Sequence, residues 1–157
     1  MTQTHITFDV RSKLQEIVTE VFSTMVSLDV KPADVAFPSR CDRISGSVGI
    51  AGDNLSGTLS LHVPAELAAK GATAMLGMEM TSDAAEVNDV ISELTNMVGG
   101  GFKSALNDAN VFCAMSVPSI VRGRSFVVET VPGAENECVC FECNGSILAV
   151  ELNIKFE

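Results

Sequence analysis

The stretch Ala84–Asp108, AAEVNDVISELTNMVGGGFKSALND, repeats its apolar residues at helical spacing. Val87, Val90, Ile91, Leu94, Met97 and Val98 fall on one stripe, the pattern of a helix that buries one face. Asp89, Glu93 and Asn96 stand at i, i+4 and i+7, within a narrow arc roughly 140° from that stripe. Two acids and a carboxamide therefore point outward from an anchored helix. Carboxylates at i, i+4 repel by a few tenths of a kcal/mol. The trio does nothing for the helix itself, which turns attention to a surface function.

Gly99, Gly100 and Gly101 follow the trio and would each cost about 1 kcal/mol inside a helix. The apolar phase nevertheless resumes at Phe102 and Leu106, so the helix is expected to run on. Gly100 then lies one turn beyond Asn96 on the exposed face. Either the glycines let a neighbouring element approach closely, or they clear the surface for a partner.

Outward from this helix, the rest of the chain alternates helical and extended patterns. A first helix is expected over Val10–Leu28, capped by Asp9. Two strands, about 44–51 and 55–63, flank a turn at Gly52-Asp53-Asn54. Pro64 suits the first position of a second helix and Gly77 its C-terminal end. Ser82 or Asp83 is expected to cap the third helix. Strands are expected over 111–118 and 124–131, then a hairpin turning at Asn144-Gly145. With no linker or low-complexity segment, 1–157 reads as a single α+β domain, helices packed on an antiparallel sheet. A shift of 73 residues lays Glu16, Glu20 and Ser23 over Asp89, Glu93 and Asn96, a faint internal repeat that has lost its carboxamide.

Composition narrows the function. A net charge of −10 opposes binding to nucleic acid phosphates or anionic membranes and suits a protein partner with a basic rim. No apolar run is long enough to span a bilayer, and MTQTHITFDVRSK has no secretory h-region, so a cytoplasmic location is expected. Five cysteines, an odd count, fit reduced thiols. Cys138-x-Cys140-x-x-Cys143 lacks the paired CxxC units or nearby histidines of a zinc site and reads as small hydrophobes in a sheet. No GxSxG, GxxxxGK[ST] or HExxH motif is present, and His5 and His62 have no evident triad partners.

Asp89-xxx-Glu93-xx-Asn96, the SELTNMVGGGFKSAL context and Pro118 beyond a gap resemble the signature of the CheC/CheX/FliY chemotaxis phosphatases. The order of elements resembles that family too, including the P-x-E-L-A start of the second helix. A single intact motif is most similar to CheX. The resemblance implies a CheC-like fold with a pseudo-two-fold repeat, a homodimer, and hydrolysis of the aspartyl phosphate on a CheY-type response regulator. In that reading Asn96 positions water and Glu93 pairs with a regulator lysine. Asp89, Gly100 and Pro118 belong to the binding face. No cofactor or metal is needed in this chain, since Mg²⁺ would sit in the regulator. Two rivals stay open: a non-catalytic adaptor of the same fold in a two-component or flagellar switch pathway, and a small-ligand or thiol-based sensor using Cys138, Cys140 and Cys143.

Overall fold

A computed structural model of the chain describes residues 6–38, 40–124, 126 and 132–157. Its elements run α1 (Val10–Met25), β1 (Lys31–Ala33), β2 (Arg43–Gly52), β3 (Leu55–Pro64), α2 (Ala65–Leu76), α3 (Ala85–Asp108), β4 (Ala114–Met115), β5 (Ser119–Gly123), β6 (Glu135–Cys143) and β7 (Ser146–Phe156). The strands form one antiparallel sheet in the order β1-β6-β7-β3-β2-β4, with β5 also on β2.

Strand alternation divides the sheet into two faces. Ile44, Val48, Leu59, Leu61, Val139, Phe141, Val150 and Leu152 are buried on the side that meets the helices. The opposite side carries Ser45, Ser60, His62 and Asn153, polar yet almost fully buried.

The internal repeat is real. Leu14, Ile17, Val18, Val21 and Phe22 are buried in α1; Val87, Val90, Ile91, Leu94 and Thr95, each 73 residues on, are buried in α3. The hairpins β2–β3 and β6–β7 meet along β3 and β7 at the centre of the sheet. The short strand after each helix crosses over: β1, following α1, pairs with β6, while β5, following α3, pairs with β2.

Local chemistry moved several boundaries. Helix α1 stops at Met25, short of the expected Leu28, because Ser27 turns left-handed (φ 53°) and Leu28 N–H donates back to the Phe22 carbonyl. Pro64 is the N-cap of α2 rather than its first residue, while Gly77 closes the helix at φ 72° as expected. The N-cap of α3 is Ala84, neither Ser82 nor Asp83; the Asp83 carboxylate instead accepts from Thr81 Oγ1 at 2.6 Å. The strand expected over 111–118 shrinks to Ala114–Met115. The register on β2 slips by one residue between Ile50↔Met115 and Ser47↔Ser119, where Pro118 has no N–H to give the ladder. The strand expected over 124–131 lies for the most part outside the described residues, as does His5. Asn144 and Gly145, at φ 49° and 80°, make the two-residue turn their sequence predicted.

Candidate functional site

Helix α3 is held on three sides. Leu94, Val98, Phe102 and Leu106 are fully buried in the core, and Phe8 meets Phe102 edge-on at 6.1 Å between ring centroids. Towards the sheet, Thr95 is completely buried against β2, because Gly46 leaves the space its side chain needs. The Thr95 hydroxyl donates to the Ile91 carbonyl at 2.6 Å, so its burial leaves no polar group unsatisfied. The sequence stripe placed Met97 inside and passed over Thr95 and Gly99. The buried arc is in fact rotated towards the sheet, and Met97 is only half-buried.

The three glycines divide between the two roles left open by the sequence. A Cβ on Gly99 would lie 2.8 Å from Met115 Sδ and 2.9 Å from Val48 Cγ2; one on Gly101 would lie 2.9 Å from Ile17 Cγ2. Those two glycines let α3 approach β2, β4 and α1. A Cβ on Gly100 would meet nothing within 4 Å. Packing does not require that glycine.

Asp89, Glu93 and Asn96 are all exposed. Among the described residues the ion pairs are Arg11–Glu137, Lys13–Glu16 and His62–Glu151, so neither Asp89 nor Glu93 is engaged in one. No hydrogen bond within the described residues occupies their side chains or that of Asn96, whereas the adjacent Thr95 is fully bonded. Pro118 is half-buried between β4 and β5, on the flank where Met115 abuts Gly99. The arrangement is a carboxylate and a carboxamide one turn apart, on a rigid support, with open space at Gly100 beside them.

A second polar cluster escaped the sequence reading. His62, 4% exposed, bonds through Nδ1 to Ser45 Oγ at 2.6 Å and through Nε2 to Glu151 Oε1 at 3.2 Å. Hydrogen bonds from His62 and Asn136 hold the Glu151 carboxyl below the usual carboxylate range. Phe37 lies over the His62 ring, and the Arg43 guanidinium stacks on Phe37 and on Phe126. Ser45 is 1% exposed and His62 4%, so the serine and histidine are enclosed within the polar sheet face, and only the Glu151 end is partly exposed. Residues 17 and 89 positions apart meet here through strand pairing, which leaves no local spacing to detect.

Cys138, Cys140 and Cys143 sit on β6 as small sheet residues, while Cys41 and Cys113 precede β2 and β4. Burial raises all five thiols, and Cys138 is pushed up to about 12. Cys138 and Cys140 share one face of β6, while Cys143 lies in the core. Among the described residues no three His, Cys, Asp or Glu side chains converge in a way that could hold a metal ion. No helix there is long and apolar enough to cross a membrane.

The sequence profile of the family described as "Chemotaxis phosphatase CheX" matches residues 44–144, well over half of the chain. The chain belongs to the CheX family. Solved relatives agree with this over nearly the whole length. The chemotaxis protein CheX of Vibrio vulnificus is 26% identical, with a TM-score of 0.82 over 91% of this chain and 97% of that one. A CheC-like superfamily protein from Shewanella sp. PV-4 is 25% identical, with a TM-score of 0.83 over 94% and 99%. The CheX of Borrelia burgdorferi, solved in a complex with CheY, BeF₃ and Mg²⁺, shares the fold at 20% identity and a TM-score of 0.76, over 96% and 99% of the two chains. Among curated proteins, none matches this sequence.

Proposed function

We propose that this CheX-family protein hydrolyses the aspartyl phosphate of a CheY-type response regulator. The observation that carries the reading is the exposed, unpaired Glu93 and Asn96, one turn apart on a helix locked into the core. The CheY, BeF₃ and Mg²⁺ complex of the Borrelia burgdorferi relative supports the choice of partner. It also supports Mg²⁺ residing in that partner.

An acyl phosphate is a reactive mixed anhydride, so the phosphatase has mainly to hold a water in line with the phosphorus–oxygen bond that breaks. The Asn96 amide N–H donates to a lone pair of that water, and its carbonyl oxygen accepts one of the water's hydrogens. Water oxygen then bonds to phosphorus, the regulator's aspartate leaves as a carboxylate, and inorganic phosphate is released. Glu93 forms a charge-assisted pair with a regulator lysine, drawing it from the phosphate and fixing the register of the complex. Asp89 adds negative charge at the rim of the contact, and Pro118 shapes the flank. Residues 1–157 act as one domain, in the cytoplasm, as a homodimer.

The test is phosphate loss from a phosphorylated CheY-type regulator with Mg²⁺, in the presence and absence of the protein. Wild type should accelerate decay, and Asn96→Ala should lower the rate about a hundredfold or more, the cost of a misplaced reacting group, while still binding the regulator. Acceleration equal to wild type in Asn96→Ala would remove the proposed role. A light-scattering mass at the 16.6 kDa monomer would remove the dimer.

A further inference from the structure

We infer that the segment from Phe112 to Val117 is the apolar half of the regulator-docking surface. This rests on the proposed phosphatase reading, because it takes the same partner. Phe112 and Val117 are the most exposed large hydrophobic residues among those described, at 70% and 84%. They are not on a loose loop. Ser116 N–H donates to the Gly49 carbonyl at 2.9 Å, and Gly49 N–H donates to Ser116 Oγ at 2.8 Å, which ties the segment to β2 from both directions. Met115 pairs with Ile50 and reaches under α3 at Gly99. Two large apolar side chains are thus held out to solvent on a fixed edge.

Scale assigns them to the partner of Asn96. A specific protein interface covers about 800 Å² on each side, a patch spanning roughly 30 Å. Asp89, Glu93, Asn96 and Gly100 supply only a narrow strip of one helix, so a regulator reaching Asn96 must also cover neighbouring ground. Thr95 stands over Gly46 and Phe112 lies against Gly52, so about 20 Å of strand β2 separates the two levels. Val117 is closer, beside the Gly49 tether. Both fall within one standard patch. On the other side of α3, the exposed face of α1 offers Glu16, Glu20 and Ser23, with Lys13 engaged by Glu16. Leu76 and Met78 at the end of α2 are exposed as well, but Phe112 and Val117 are more so and lie on the flank that Met115 ties to α3 at Gly99. The apolar anchor of the contact is placed on this β4–β5 side, with the charged pair at Glu93 supplying register. Interface energy concentrates in such anchors.

The experiment measures steady-state dephosphorylation and, separately, binding to the regulator in its BeF₃–Mg²⁺ form, for Phe112→Ser, Val117→Asn and the double variant. Both positions are exposed, and circular dichroism with a melting curve verifies the fold. The double variant should raise KM and weaken binding at least tenfold while saturating turnover persists, the opposite of the Asn96→Ala pattern. Wild-type KM and binding in the double variant, with Asn96→Ala still inactive, would overturn the docking assignment and leave the phosphatase reading standing. Regulator binding that the double variant loses, without hydrolysis by wild type, would keep the docking surface and overturn catalysis. Conversion of a wild-type dimer to a monomer in sedimentation, with regulator binding unchanged, would reassign the strip to a second copy of this chain and overturn the proposal. Absence of any binding or hydrolysis by wild type would overturn both.

Discussion

Replacing Gly100 with alanine should make the fold more stable, and filling the space there with a larger side chain should weaken the proposed contact with the regulator. Glycine inside a helix costs about 1 kcal/mol relative to alanine, through the freedom its backbone has when unfolded. Usually that gain is offset where the new methyl group collides. At Gly100 nothing stands within 4 Å of the added Cβ, so the whole gain should be realised. For a chain of this length about 1 kcal/mol raises Tm by roughly 2–4 °C. The neighbours provide internal controls. Alanine at Gly99 would press on Met115 and Val48, and at Gly101 on Ile17, at 2.8–2.9 Å. Overpacking of that kind costs typically about 1–3 kcal/mol and cancels or reverses the helical gain. Thermal or urea unfolding of the three single variants should therefore place Gly100→Ala above wild type, and Gly99→Ala and Gly101→Ala at or below it. A destabilised Gly100→Ala would refute the open face. The activity arm uses Gly100→Leu, whose side chain projects into the approach path and should raise KM for the regulator. If leucine is tolerated with unchanged KM, the space at Gly100 is not there for a partner.

Three further outcomes follow from particular contacts. Gly46→Ala should destabilise the fold by about 1–3 kcal/mol and disturb α3, because the new Cβ would collide first with Thr95 Oγ1; Gly46→Ala combined with Thr95→Ala, which removes that hydroxyl, should recover part of the loss in urea unfolding, and no recovery would mean the strain lies elsewhere. Glu151, held low by its hydrogen bond from His62, contributes stability that is complete above its unfolded value near about 4.3 and fades as pH falls through the lower folded value. Glu151→Gln should thus flatten the decline of Tm below about pH 4.5, and an acid limb parallel to wild type would contradict that. Cys138, pushed up to about 12, should react with a thiol reagent at pH 8 far more slowly in the native state than after unfolding, and rapid native labelling would reopen the thiol-sensor reading.

The helix faces and the hairpins were legible in the sequence because their signals are local. Apolar spacing alone identified the core side of α1 and α3, and Asn144-Gly145 announced its turn. Single-residue exchanges at the margin of the stripe were not legible. Thr95 looked polar and Met97 apolar, yet a glycine on another strand, Gly46, drew threonine inwards. The edge strands failed for a related reason: β4 and β5 are defined by where β2 accepts them, and Pro118 interrupts a run that composition alone made continuous. Of the candidate site, the outward direction of Asp89, Glu93 and Asn96 was readable from phase. That Gly100 stands free while its neighbours are wedged depends on Ile17, Val48 and Met115, which no local pattern links to it. The Ser45–His62–Glu151 chain had no local signal at all.

The crossed connections have a consequence for how this fold can change over time. Helix α3, with its motif, packs on β2 and β3, which belong to the other repeat, while α1 packs on β6. Each copy thus lies in a bed made by its twin. The first repeat carries Ser23 where the second carries Asn96, yet its strand β2 still supports Thr95 and Gly99. Gly46 and Val48 remain constrained by the packing of a helix that belongs to the other half. Neither half would be expected to keep a usable helix surface if cut from its counterpart, because the cut would remove the floor and leave the side chains that stood on it.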